Sequence, residues 1–228
     1  MTTMAFRRVY VWEAPVRIYH WATVASLGVL IATGLLIGRP LAIVTAPEAS
    51  GSYWFGTVRF LHFAAGFVFF YAFLLRMYWM FAGNQYARWS RFLPLTPTLM
   101  KRQVREAADV VRVDLLQLQV QPVEILGHNA LAAWSYVGVF LASLFQIATG
   151  FALYAAMSGS WVAHLFAWVV PLMGGDAEVR FWHHTAMWVF IVFAVIHVYL
   201  SIFHDVVEGR GEISSMVSGV KFADREPK

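Results

Sequence analysis

Four of the eight histidines are spaced so that they could hold a metal from two sides: His20, His62, His183 and His197. A neutral imidazole ligates through one ring nitrogen, and in an apolar segment it is costly unless its polar atoms are satisfied. His183 and His197 are 14 residues apart, close to four helical turns and about 21 Å of rise. Both rings therefore face one way at two depths. His184 lies 13 residues before His197, about 100° off that face, and is set aside. Cysteine is absent, which excludes disulfides, thiolate-held iron–sulfur clusters and the C-x-x-C-H attachment of covalent haem.

The elements that must position these rings are apolar. Of the 228 residues, 60% are hydrophobic, 17% aromatic and only 13% charged, and mean hydropathy is +0.61. A soluble domain carries roughly a quarter charged residues. A membrane span needs about 20 mostly apolar residues, and four stretches meet this, approximately 18–38, 60–82, 130–156 and 182–203. Arg7 and Arg8 precede no cleavable site, so the first run is expected to remain as a helix. Trp161 to Met173 is too short to cross and contains Pro171, and is read as a short periplasmic interfacial helix.

All 17 basic residues except Arg39, Arg59 and Arg180 fall on one side of these spans. The positive-inside rule then makes both termini and the loop from Gly83 to Asn129 cytoplasmic. Within that loop, Leu99 to Leu118 suit an amphipathic surface helix or a linker. The net charge of +4 follows from this flanking pattern and does not indicate nucleic acid.

With alternate spans reversing direction, His62 and His183 share the outer depth, and His20 and His197 the cytoplasmic one. Zinc requires three or four ligands close together, which such pairs do not supply. Two bis-histidine sites at two levels are what two non-covalent b haems require, and filled axial positions suit electron transfer rather than ligand activation. The expected fold is all-α: one domain, residues 1–228, an integral membrane four-helix bundle with two stacked haems. The competing reading is a non-redox anchor whose histidines bond neighbouring helices. A proton-relay transporter would show discontinuous helices and paired halves, and neither pattern is present.

Other residues have two readings. Gly34, 14 residues after His20, would bare the first span beside the outer haem; Gly66, Gly138 and Gly150 do likewise or simply allow close packing. Arg76, 14 residues after His62, suits a haem propionate or snorkels at the boundary. His204 shares the face of His197 and, with Asp205 and Glu208, could relay protons near a cytoplasmic quinone site. His128 and His164 read as polar side chains tolerated at interfaces.

Several motifs together resemble a known family: EAPVRIYHW (Glu13–Trp21), TGLLIGRP (Thr33–Pro40), RFLHFAAG (Arg59–Gly66) and RMYWMFAGNQYAR (Arg76–Arg88). GHN (Gly127–Asn129), TGFALY (Thr149–Tyr154) and WHHTAMW through HVY (Trp182–Tyr199) continue the match. The chain resembles the b-type cytochrome subunit of membrane-bound nickel–iron uptake hydrogenases, within the cytochrome b561 and formate dehydrogenase gamma-like group. The resemblance implies the bacterial inner membrane and a partner small subunit with iron–sulfur clusters and a C-terminal anchor helix, alongside the large subunit. It also implies electron flow from hydrogen through the His62/His183 haem and the His20/His197 haem to quinone. The Trp161–Met173 segment and the Pro40–Arg59 loop would be docking surfaces, and this chain would not itself split hydrogen. A formate dehydrogenase or thiosulfate reductase gamma subunit would use the same helices.

Overall fold

The computed structural model describes residues 6–40, 53–89, 100–101, 104–105, 108, 130–209 and 211–224. Most of Leu99–Leu118, His128 and residues 41–52 lie outside them. The elements in chain order are β1 (Phe6–Tyr10), α1 (Ala14–Gly38), α2 (Trp54–Ala82), α3 (Ala130–Ala155), α4 (Trp161–His164), α5 (Val169–Leu172), α6 (Asp176–Glu208), α7 (Glu212–Ser218) and β2 (Val220–Asp224). The fold is therefore almost entirely helical. Four of the helices, α1, α2, α3 and α6, are long and apolar enough to cross a membrane, and the protein is an integral membrane protein.

Three of the long helices outrun their hydropathy segments, and α3 matches its own within a residue. Helix α1 starts at Ala14, α2 at Trp54, and α6 runs from Asp176 to Glu208. Hydropathy marks the length that sits in hydrocarbon, whereas intrahelical hydrogen bonding continues into the polar boundary. Pro15 in the first turn of α1 sits where a missing N–H breaks no helical bond, and Asp176 and Glu178 in the first turn of α6 complement the helix dipole. Phe60, Tyr71, Leu141 and Val195 each point outward and are more than half exposed, as expected for a surface dissolved in lipid. Buried Ser26 returns its hydroxyl to its own helix, donating to Ala22 O at 2.7 Å; a polar group in hydrocarbon is satisfied in this way.

The expected interfacial segment is helical in two single-turn pieces, α4 and α5, rather than continuous. Pro171 lies inside the second piece, where a first-turn N–H has no intrahelical partner to lose. The apolar residues Trp161, Leu165, Trp168 and Leu172 recur on one side of it, all exposed.

The chain divides into two compact units, residues 1–18, 75–139 and 193–228, and residues 19–74 and 140–192. In the first, β1 and β2 form an antiparallel ribbon in the register Phe6↔Asp224 to Tyr10↔Val220, an element the sequence reading lacked. Val11 N and Trp12 N both donate to Gly219 O, at 2.9 and 3.0 Å. Gly219 has φ of 84°, and a Cβ there would come within 2.6 Å of Trp12 O, so only glycine suits this corner. Trp12 Nε1 donates to Ser215 Oγ at 3.2 Å, Arg17 donates to Val217 O, and buried Lys221 pairs with Glu212.

The same unit fastens the N-terminal segment to the end of α2. One carboxylate oxygen of Glu13 accepts from Trp79 Nε1 and from Asn84 N, both at 2.8 Å. Asn84 Nδ2 donates in turn to Val11 O at 2.9 Å. The second unit is packed by aromatic rings: Phe151 lies between Phe67 and Phe70 of α2 at 5.2 and 5.1 Å and stacks on Phe166 at 5.7 Å. Phe69 meets Phe190 of α6 edge-on at 6.3 Å.

Candidate functional site

Two of the histidines singled out by spacing meet in the second unit. His62, in α2, and His183, in α6, have ring centroids 6.5 Å apart and ring planes at 71°. Each is held by a threonine from another helix. Thr33 Oγ1 of α1 lies 2.9 Å from His62 Nδ1, and Thr149 Oγ1 of α3 lies 2.8 Å from His183 Nδ1. Both threonines are buried, at 6% and 1% exposure.

The protonation pattern follows from counting protons. A hydroxyl has one to give. Thr33 directs its proton to Val29 O at 2.6 Å, and Thr149 directs its own to Phe145 O at 2.8 Å. A hydroxyl that donates to its own helix carbonyl accepts from an Nδ1–H, so this arrangement suits the Nδ1–H tautomer of each histidine. The remaining lone pair on each ring is then at Nε2, the atom available to a metal.

The glycine after each threonine brings the helix backbone against the same ring. A Cβ at Gly34 would stand 3.5 Å from His62 Cε1, and one at Gly150 would stand 3.2 Å from His183 Cε1. Gln146 adds a further tie, donating from Nε2 to the His183 carbonyl at 3.0 Å. His62 thus faces Thr33-Gly34 of α1, and His183 faces Thr149-Gly150 of α3.

The arrangement fits an axially ligated iron. Metal–imidazole bonds of about 2 Å, with about 1 Å more from each nitrogen to its ring centre, put two axial rings about 6 Å apart. The observed separation of 6.5 Å agrees. Among the described residues no group of three or more histidines, cysteines or carboxylates could hold a bare ion. Two imidazoles suit a metal that brings its own equatorial ligands.

His20 belongs to the second unit and meets Trp21 edge-on at 5.2 Å. His197 belongs to the first and stacks on Phe193 at 5.4 Å with planes 11° apart. The expected pairing of the two rests on their matched cytoplasmic depth. His184 turns to α1, where a Cβ at Gly38 would stand 2.8 Å from its Cε1. Arg76, 5% exposed, donates to the Tyr136 hydroxyl and to Ala87 O, and its guanidinium lies 4.7 Å from the Tyr136 ring centre. Asp205 accepts from Ile213 N at 3.3 Å, fastening the start of α7. His204 lies 5.8 Å from the Phe203 ring, His164 is exposed at the end of α4, and the Glu208 side chain lies outside the described residues.

Sequence reasoning missed Thr33, Thr149 and Gln146 as the partners of His62 and His183. The signal was the Thr-Gly dipeptide, present in both TGLLIGRP and TGFALY. Of the four glycines it singled out, Gly34 and Gly150 contact the histidines, whereas a Cβ at Gly66 or Gly138 would meet nothing within 4 Å.

Apolar helices long enough to cross a membrane, two imidazoles 6.5 Å apart with a threonine hydroxyl at each Nδ1, and a bared helix backbone beside each fit a membrane cytochrome class. The chain belongs to the prokaryotic cytochrome b561 family, which it matches over residues 11–219, and that membership implies b-type haem. It is 43% identical over 223 residues, 96% of this chain and 91% of the relative, to a "Probable Ni/Fe-hydrogenase B-type cytochrome subunit" of Azotobacter vinelandii. A protein with the same description in Cupriavidus necator is 39% identical over 95% of this chain and 88% of its own length. The "Probable Ni/Fe-hydrogenase 1 B-type cytochrome subunit" of Escherichia coli K12 is 38% identical over 93% and 90%.

Proposed function

We propose that this chain is the electron-transfer membrane subunit of a respiratory [NiFe] uptake hydrogenase, serving two b haems and a membrane quinone. The observation that carries the reading is the His62–His183 pair, 6.5 Å apart, with both Nδ1 atoms occupied by threonine hydroxyls. When bound, a bis-histidine haem supplies a one-electron centre without an open coordination position. Its relatedness to Ni/Fe-hydrogenase B-type cytochrome subunits supports the hydrogenase.

His20 and His197 hold the second haem. This pair rests on the 14-residue phase from His183 to His197 and on the expected depth of His20. Arg76 serves a propionate, and His204, Asp205 and Glu208 serve the quinone end. Both termini are cytoplasmic and the membrane is the bacterial inner one. That orientation is supported by the flanking basic residues and by the ribbon joining Phe6–Tyr10 to Val220–Asp224, which suits an even number of crossings. The exposed row Trp161, Leu165, Trp168 and Leu172 is the docking surface for the anchor helix of the small subunit, with the large subunit beyond it.

The test is reduction of the haems in membranes. Hydrogen gas is expected to reduce the same absorbance that dithionite reduces. Haems that stay oxidised under hydrogen yet respond to formate would move the chain to a formate dehydrogenase, overturning the hydrogenase assignment while leaving the cytochrome intact.

A further inference from the structure

We infer that Thr33 and Thr149 are positioning residues for one and the same haem, each fixing the Nδ1–H tautomer of its histidine and raising that ligand's electron donation. The inference rests on the haem reading of His62 and His183 and deepens it.

Three observations converge. Each threonine hydroxyl is buried and spends its only proton on its own helix, at Val29 O and Phe145 O. Each is then an acceptor aimed at an imidazole Nδ1, at 2.9 and 2.8 Å. Each is followed by a glycine whose missing Cβ lets the helix lie against the same ring, at Cε1. The two clamps come from different helices, α1 and α3, and act on two rings whose centroids are 6.5 Å apart.

The chemical consequence has a sign. An acceptor at the distal nitrogen pulls the N–H proton outward and makes the ligating nitrogen more basic. A more basic axial ligand favours ferric over ferrous iron and lowers the midpoint potential. Removing either hydroxyl should raise it, and because both act on one iron the effects should fall on the same redox component.

The experiment uses the full complex in membranes, titrated potentiometrically at the haem α-band, with electron paramagnetic resonance of the ferric form. Thr33→Val and Thr149→Val, close in shape but without the hydroxyl, should each shift the same one of the two components to higher potential and alter its g-values. Thr33→Ser and Thr149→Ser should return both readings toward wild type. If a Val variant loses its pigment, the Ser variant decides: retention at the wild-type potential upholds the clamp, and loss overturns it. Val variants that titrate as wild type, or that move different components, also overturn it. Failure of the underlying reading looks different: His62→Ala and His183→Ala would then leave both components in place.

Discussion

At the scale of single residues, two adjacent histidines on α6 have different neighbours and should respond differently to a single added methyl. A Cβ at Gly150 would press on the ring of His183, and one at Gly38 would press on the ring of His184. Overpacking of this kind costs about 1–3 kcal/mol. Gly150→Ala should lower haem retention and perturb the optical spectrum. Gly38→Ala should lower thermal stability in detergent and leave haem content per chain unchanged. Equal loss of pigment in both variants would contradict the distinction. That His62 and His183 come together was legible in the sequence, from the outer depth that alternating spans give both; the pairing of His20 with His197 is a reading of depth and of the 14-residue helical phase. The threonines were not legible, since phase says which way an imidazole points but not what its second nitrogen meets. A threonine in an apolar helix otherwise reads as a side chain bonded to its own backbone, and Thr33 and Thr149 do that as well.

At the scale of elements, the long helices are fastened by a few polar contacts at their ends. Glu13 takes two donors on one oxygen, from Trp79 at the end of α2 and from Asn84 just beyond it. Leaving such donors without an acceptor costs about 1–3 kcal/mol. Glu13→Ala should lower the melting temperature of the detergent-solubilised protein, and Glu13→Gln, which retains an acceptor oxygen, should lower it less. A Gln variant as unstable as Ala would mean that the carboxylate charge rather than the hydrogen bonding matters. Four helices were legible from hydropathy because the bilayer imposes a length on them. Their ends were not, since Asp176–Phe181 and His204–Glu208 continue α6 beyond its apolar stretch. The β1–β2 ribbon left no local trace: FRRVY and VKFAD do not alternate cleanly, and their pairing joins opposite ends of the sequence.

At the scale of the whole molecule, a chain without cysteine, whose helices expose apolar side chains, brings two imidazoles within 6.5 Å of each other. Thr-Gly on α1 and Thr-Gly on α3 each support the histidine of another long helix, so neither half of the sequence completes the site alone. The same division fits a resemblance that extends over nearly the whole chain: TGFALY, which has no histidine, contacts His183 through Thr149. The most direct measurement is haem content by pyridine haemochrome on the purified chain, wild type and with His62→Ala or His183→Ala. Two haems per chain are expected in the wild type and one in each variant, the same spectral component disappearing from both. Full pigment in both variants would contradict the account.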